Sequence, residues 1–411
     1  MFTSIKNNIP SWSRWRALPS VLNYRERVLL AVLLAVFVFS SLGWTIYYYS
    51  QISISVPAYG GQYREAIIGY PQYINPILAE SDVDNDLATL IFSGLMKYDE
   101  NGVLQLDLAD KYEIKNGGKT YIFNIRKDIF WHDGTQLTAN DVIFTINAFQ
   151  NPEYKSPLSL NWRSVRIEKV DDFTVEFSLN NAFAPFLENL TVGIMPKHIW
   201  ENVSPATVYL SEYNLKPIGS GPYEFSEIKK DADKSSIVTQ IELKANEKYH
   251  FGKPYIETVT LKFFSSEEDA IKAFNDLEVD GICYLLPQNK DKLSRLRDPE
   301  IYRLKVPRYF AVFFNQNKSK PLTDKNVRKA LAYATDKNKI VKEVLMDEAS
   351  VVDSPILRDI LGIDNFTTVY EFSLEKARKE LSGWKDSNNN GILDKKFSKS
   401  DKDSTELEIT L

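Results

Sequence analysis

The stretch that decides the fold runs from Gly94 to Asp141. In order, it contains GLMKYDENG (94–102), DLA (107–109), KTYIFNIR (119–126), WHDG (131–134) and LTANDV (137–142). The Asn-Gly and Asp-Gly pairs predict turns, because glycine tolerates positive φ and an Asx side chain can bond its own backbone. Tyr121, Phe123 and Ile125 alternate with polar neighbours, which predicts a strand with one buried face.

The last segment predicts a helix that begins after Thr138. Thr138 suits the N-cap and Asp141 the third helical position, as in a capping box. Val142, Ile146 and Phe149 recur at helical spacing and predict the buried stripe of this helix.

A second strand and helix are predicted further along the chain. Val259, Leu261 and Phe263 alternate as a strand would. Ser265 with Glu268 then predicts a capping box, and the following buried stripe is Ile271, Phe274 and Leu277.

Further segments complete an ordered set that resembles one protein family. They are Asn75-Pro76, PIGSGPY (217–223), Asp280-Gly281, Phe314-Asn315, VRKALAYATD (327–336) and ARKEL (377–381). With the stretch quoted first, they resemble the extracytoplasmic solute-binding proteins of family 5. These proteins deliver peptides, and in some members nickel, to ABC importers. The resemblance covers roughly residues 62 to 411.

The resemblance implies an α/β fold of the type II periplasmic-binding-protein kind. Two lobes joined by a hinge would close around a ligand held in the cleft between them. The first lobe is predicted at 62–306 and an incomplete second lobe at 307–411, with the crossing near Val306-Pro307.

Alignment of motifs with the family also implies ligand-binding residues. Glu80, Ser81 and Asp82 would line the cleft from the first lobe, and Tyr309 and Phe310 would face it from the second. Two alternatives stay open: a solvated loop for Glu80 and Asp82, and ordinary packing for the aromatic pair in a strand predicted from Tyr309 to Asn315.

The amino terminus predicts a membrane segment. Residues 28–49 are almost wholly apolar, and a run of about 20 such residues can span a bilayer. The basic segment 1–27 should stay in the cytoplasm, which places the linker 50–61 and everything after it outside. The apolar segment is predicted to be a retained anchor or uncleaved signal. A buried globular helix is the alternative, and Ser41 and Gly43 leave cleavage open.

Charge and cysteine content narrow the function. The first 27 residues carry five basic and one acidic residue, which leaves a net −9 on the rest of a chain whose total is −5. An acidic domain argues against nucleic acid as a partner. The sole cysteine, Cys283, excludes an intramolecular disulfide and is interpreted as a small core residue.

Catalytic residues are not predicted. Trp131-His132-Asp133 offers a base and a carboxylate, but they are neighbours in a tight turn. Gly219-Ser220-Gly221 lacks the rest of a phosphate-binding motif, so these glycines are interpreted as permitting a sharp entry into a strand at Tyr223. The sequence contains neither Gly-x-Ser-x-Gly nor His-Glu-x-x-His.

One segment resembles a calcium loop. Asp386, Asn388, Asn390 and Asp394 occupy positions one, three, five and nine, with glycine at six. Position twelve is Phe397 instead of a bidentate glutamate, so a solvated turn is the alternative. A bound calcium ion would brace the loop; otherwise no cofactor is predicted.

The predicted function is capture of peptides, without chemistry, by a membrane-anchored protein. Its partners would be peptides, the membrane and an ABC permease with cytoplasmic ATPases. A membrane-tethered hydrolase and a calcium-braced surface interaction module are the alternatives. Residues 406–411 alternate as a strand, and the resemblance implies a longer second lobe. We therefore expect a carboxyl-terminally truncated chain whose peptide binding is loose, weak or absent.

Overall fold

The structure, a computed structural model, describes residues 22–53, 56–183, 185–233, 236–294, 299–303, 309–354, 369–398 and 403–410. It divides into one unit that ends at Tyr59 and a second that begins at Gly60. The crossing predicted at Val306-Pro307 lies outside the described residues.

The first unit holds a long apolar helix, α1 (Tyr24–Ile52), of 29 residues. Asn23 and Glu26 form a capping box at its start, and the predicted segment 28–49 lies within it. A helix of this length and composition can cross a membrane. A signal sequence passes the same test, so both interpretations of the segment stay open.

In its described residues, the second unit contains two larger sheets and two short ribbons. In chain order, the described strands are β1 (Gln62–Ile68), β2 (Met96–Tyr98), β3 (Leu104–Leu106), β4 (Ala109–Lys115), β5 (Thr120–Ile125), β6 (Val165–Asp171), β7 (Thr174–Leu179), β8 (Tyr223–Lys230), β9 (Val238–Ala245), β10 (Thr258–Phe264), β11 (Gly281–Ile282), β12 (Asp394–Lys395) and β13 (Thr405–Glu406).

The larger sheets differ in strand direction. One has the order β11-β1-β10-β9-β8, in which β1 runs parallel to β10 and β11 while β8, β9 and β10 are antiparallel. The other is antiparallel throughout and has the order β4-β5-β7-β6. The ribbons pair β2 with β3 and β12 with β13.

The described α-helices of the second unit are mostly short. They are α2 (Asp82–Ile91), α3 (Ala139–Gln150), α4 (Ser159–Trp162), α5 (Phe186–Asn189), α6 (Lys197–Trp200), α7 (Glu267–Asn275), α8 (Lys325–Ala334), α9 (Lys337–Glu343) and α10 (Leu374–Glu380).

The strand and helix predicted from the first quoted stretch are confirmed. Thr138 and Asp141 form the capping box at the start of α3, and its predicted stripe is buried to 1% exposure or less. In β5, the predicted inward side chains are all at most 3% exposed. These residues meet in the largest core, which lies between α3 and the antiparallel sheet.

The mixed sheet packs against a hydrophobic core on each face. Successive residues of a strand point to opposite sides of the sheet, so neighbouring residues enter different cores. In β1, Ile67 packs in a core that includes Leu87 of α2, whereas Ala66 packs in another with Ile271 of α7. Cys283 is half-buried against the first of these cores, where burial raises the pKa of its thiol to about 12.

Two details of the predicted helix after β10 are wrong. Ser266 caps α7 and accepts a hydrogen bond from the backbone N–H of Asp269, so the N-cap lies one residue after the predicted Ser265, and Asp269 rather than Glu268 is the third helical residue. Burial of Ala270, Ile271 and Phe274 sets the helix phase. Because α7 ends at Asn275, Leu277 lies beyond it and is exposed rather than part of the stripe.

The strand predicted from Tyr309 to Asn315 is also wrong. These residues pair with no strand in the described part of the chain, and Phe310 and Phe313 are more than 80% exposed. An apolar run alone does not make a strand, because the backbone also needs a neighbouring strand with which to bond. The family motif at 327–336 begins within a helix, α8, whose Val327 packs with Leu322 and Trp384 in a separate small core.

Candidate ligand-binding site

A cavity of about 200 Å³ lies at the amino-terminal end of α2. Two of the residues predicted to bind ligand, Glu80 and Ser81, line it. The complete lining is Gln72, Tyr73, Leu78, Glu80, Ser81, Asp84, Lys155, Pro157 and Tyr209. A cavity of this size exceeds the volume of several water molecules and can hold part of a small organic ligand.

Asp84 fixes one wall of the cavity. Its side chain is 2% exposed, and one carboxylate oxygen accepts hydrogen bonds from the backbone N–H groups of Gln72 (2.7 Å) and Tyr73 (3.0 Å). The other oxygen accepts from the hydroxyl of Ser81 at 2.8 Å, and that hydroxyl caps α2 by accepting from Asp84 N–H. These bonds offset the cost of burying the carboxylate and hold residues 72, 73 and 81 together.

Two tyrosines form an aromatic wall. The rings of Tyr73 and Tyr209 meet edge to face with centroids 5.4 Å apart. The hydroxyl of Tyr209 donates to the carbonyl of Tyr154 at 2.9 Å, which fixes the ring. Burial raises the pKa of Tyr209, and Tyr73 and Glu80 add to the rise, so its phenol stays neutral.

Two exposed groups of opposite charge complete the lining. Glu80 and Lys155 both reach the cavity, and neither forms an ion pair with another residue in the described part of the chain. Lys155 has a left-handed backbone (φ 50°) and ends the turn Pro152–Tyr154, which sets the direction of its side chain. An acid and a base beside an aromatic wall suit a ligand that carries both hydrogen-bond donors and acceptors.

The remaining predicted site residues lie elsewhere. Asp82 is the first residue of α2 and is exposed, but it does not line the cavity. Tyr309 and Phe310 are exposed and do not line it either.

Sequence reasoning missed several lining residues. The spacing of Ser81 and Asp84 is a helix-start signature that could have revealed Asp84. No local pattern marks Lys155 or Tyr209, because only the fold brings them to residue 80.

His132 makes contacts that tie two loops together. Its Nδ1 accepts a hydrogen bond from the backbone N–H of Gly219, and its Nε2 lies 3.2 Å from the carbonyl oxygen of Gly221. Asp133 contacts His198 at 2.7 Å, not its neighbour His132. Burial lowers the pKa of His132 to about 4, so the ring is neutral and holds loop 219–221 in place.

The burial of the His132 ring predicts a pH-dependent stability. The folded pKa of about 4 lies below the ordinary 6.5, so between these values the unfolded chain binds the proton more readily. The contribution of His132 should be complete above about pH 6.5 and should decline as pH falls to about 4. Because the ring is partly exposed, we expect the free energy of unfolding to fall by about 2 kcal/mol over this range, which is less than the full change in pKa would give. Urea unfolding between these pH values measures it, with His132→Gln as the reference. Equal pH dependence in both proteins would contradict the assignment.

The predicted calcium loop is organised by its own hydrogen bonds. The Asp386 carboxylate accepts from the N–H groups of Asn390 and Gly391 at 3.0 Å each, and Asp394 accepts from Ser387. Asn388 and Asn390 likewise accept from backbone N–H groups within the loop. Position twelve is Phe397, whose side chain has no oxygen that could bind calcium. Its ring packs against Trp384. Calcium binding here stays a prediction.

Comparison with known proteins identifies similar chains. Residues 103–410 match the family described as bacterial extracellular solute-binding proteins, family 5 Middle. The oligopeptide-binding protein AppA of Bacillus subtilis is 32% identical over 357 residues, which cover 84% of this chain and 63% of that protein. The present chain thus spans less than two thirds of that relative.

Solved structures are similar over the same region. NikZ from Campylobacter jejuni, in complex with Ni(L-His), has a TM-score of 0.70 at 32% identity. The matched region covers 81% of the present chain and 65% of the NikZ chain. AppA from Bacillus subtilis, in complex with a nonapeptide, has a TM-score of 0.66 at 30% identity. The matched region covers 84% of the present chain and 68% of the AppA chain.

Proposed function

Because the chain belongs to family 5 of the bacterial extracellular solute-binding proteins, we propose that it captures peptides outside the cytoplasm for an ABC importer. Its fold is the type II periplasmic-binding-protein fold of its solved relatives, so the predicted family and fold class are confirmed. The peptide ligand is proposed from relatives named for oligopeptide binding and solved with a nonapeptide.

The observation that supports this proposal most is the cavity beside Glu80. A peptide presents N–H donors, carbonyl acceptors and side chains of varied polarity. Glu80 would accept hydrogen bonds from the ligand, Lys155 would donate to it, and the Tyr73–Tyr209 wall would pack against an apolar part. Bonds to the common peptide backbone give affinity with broad tolerance of sequence. Asp82, Tyr309 and Phe310 remain proposed contacts outside the cavity.

Calorimetry on the full chain in detergent micelles tests this proposal. A pool of short peptides should give saturable heat, with a Kd in the micromolar to millimolar range. Glu80→Gln should weaken binding by about tenfold, because it removes a charge-assisted hydrogen bond worth about 1.5 kcal/mol or more. Glu100→Gln is the matched control, since Glu100 is an exposed acid that does not line the cavity.

Two outcomes would contradict the proposal in different ways. Saturable heat with Ni(L-His) but none with peptides would assign the protein to metal-chelate capture. Unchanged peptide affinity in Glu80→Gln would place the ligand away from this cavity.

The proposed location follows from α1. We propose that α1 is retained as a single-pass anchor, with residues 1–27 in the cytoplasm and the domain after Tyr59 outside. The anchor would keep the domain near a permease that has cytoplasmic ATPases. Protease added to intact cells should remove an epitope inserted after Gly60 and spare one at residue 1. Protection of both epitopes would overturn the location.

A further inference from the structure

An ion-pair cluster joins the two predicted lobes. The carboxylate of Glu348 accepts hydrogen bonds from Arg303 through Nε at 2.8 Å and Nη2 at 3.2 Å, and it also pairs with Nζ of Lys290. Lys290 and Arg303 belong to the predicted first lobe, 62–306, whereas Glu348 belongs to the predicted second, 307–411. The cluster therefore connects segments more than 40 residues apart in sequence.

Lys290 stands on a firmly held turn, Pro287–Lys292. The Glu267 carboxylate, in the first turn of α7, accepts hydrogen bonds from Leu286 N–H and from the Asn289 side chain at 2.6 Å each. Leu293, just after the turn, is 8% exposed and packs in the core beneath α7. The backbone under Lys290 is thus fixed to the body of the first lobe.

Glu348 is presented by an equally defined turn after α9. Met346 and Asp347 both have left-handed backbones, with φ of 50° and 60°. This conformation is uncommon for residues other than glycine and persists where the surroundings enforce it. Backbone N–H groups of Asp347 and Glu348 donate to Val341 and Leu345, which closes the turn.

The cluster is charged across the physiological pH range. Hydrogen bonds from Arg303 and Lys290 lower the pKa of Glu348 to about 2. The bidentate arginine contact adds geometric specificity that a single lysine contact lacks.

We propose that Lys290, Arg303 and Glu348 form a latch that fixes the position of the second lobe relative to the first. The Lys290 turn is tied to the first lobe through Glu267, and the Glu348 turn is closed by its own backbone hydrogen bonds. Moving these two turns apart would therefore break the latch. The latch favours one interlobe arrangement and thereby sets how readily the protein changes shape. The latch does not involve the cavity beside Glu80, so it does not depend on the identity of the ligand.

Distance measurement between spin labels tests the latch in the full chain. Lys111→Cys in β4 and Lys342→Cys in α9 place labels on exposed sites of the two lobes, with Cys283→Ser removing the native thiol. The parent should show one dominant interlobe distance. Glu348→Gln should reduce the population at that distance two- to fivefold, as expected for breaking partly exposed ion pairs. In about 1 M salt, where the Debye length is about 3 Å, the parent should lose population at that distance as Glu348→Gln does. The same salt should hardly change the distances in Glu348→Gln.

Matched variants separate the latch from general effects. Glu268→Gln removes a nearby pair with Lys292, at 3.9 Å, that lies within the first lobe, and it should leave the distances unchanged. Glu348→Asp keeps the charge and should recover part of the lost population. If Glu348→Gln fails to fold, Arg303→Gln tests the same contact from the other side. Identical distances in the parent and Glu348→Gln, or an equal effect of Glu268→Gln, would overturn the proposal.

Discussion

Replacing Gly219 with alanine is expected to lower the free energy of unfolding by at least about 3 kcal/mol. A Cβ at this position would lie 1.9 Å from the carbonyl oxygen of Ile91 and 2.7 Å from its carbonyl carbon. Both atoms are backbone at the end of α2, so they cannot rotate away as a flexible side chain could. Overpacking a core costs about 1–3 kcal/mol when side chains can adjust, and a backbone clash should cost more.

The loop has little freedom to relieve this clash. Gly221 N–H donates to the Ile91 carbonyl at 2.8 Å, and His132 N–H donates to the Gly219 carbonyl at 2.8 Å. Any shift that accommodates the methyl group would therefore stretch these bonds.

Chemical denaturation of the full chain measures the effect. Gly383→Ala is the matched control, because its new Cβ would meet only the flexible Lys395 ammonium at 3.9 Å, with no left-handed backbone to strain. The control should change stability by less than about 0.5 kcal/mol. Equal stability of the two variants would show that the loop does not pack against α2 as described.

Replacing Asp84 with alanine is expected to lower the free energy of unfolding by about 3 kcal/mol and to abolish peptide binding. The change leaves the N–H groups of Gln72 and Tyr73, which bond to the buried Asp84 carboxylate, without their acceptor, and an unsatisfied group in a buried site costs about 1–3 kcal/mol. It also frees Ser81, so the wall of the cavity loses its shape.

Asp99→Ala provides the comparison for Asp84→Ala. Asp99 likewise accepts two backbone N–H bonds, from Asn101 and Val103, but at an exposed turn where water can replace it. Asp99→Ala should lower the free energy of unfolding by about 1 kcal/mol and leave peptide binding intact. Urea unfolding and calorimetry on both variants measure the two effects. Retained affinity in a folded Asp84→Ala protein would separate the ligand from this cavity.

Local signals made the first lobe's elements predictable. The capping pair Thr138 and Asp141 marks a helix start wherever it occurs, and the alternation through β5 needs only one buried face. The entry into β8 at Tyr223 was predicted as well. Its physical cause differs, since Gly219 and Gly221 are required by their close approach to Ile91.

Features that depend on distant partners were not predictable from sequence patterns. The charges at Glu80 and Lys155 share a cavity only because the fold brings them together. Two adjacent serines before α7 could each cap it, and only the burial of Ala270 and Phe274 selects Ser266. The segment 309–315 is a continuous apolar run before Asn315, as in a buried strand, yet the described chain supplies no neighbouring strand for it.

Equilibrium dialysis of the full chain against short peptides, with chromatographic recovery of both compartments, tests peptide capture most directly. We expect saturable retention of peptide on the protein side, recovery of every peptide intact, and reduced retention with Glu80→Gln but not with Glu100→Gln. Equal retention of peptide by the parent and by Glu80→Gln, or recovery of cleaved peptides from a protease-free preparation, would contradict peptide capture at this cavity.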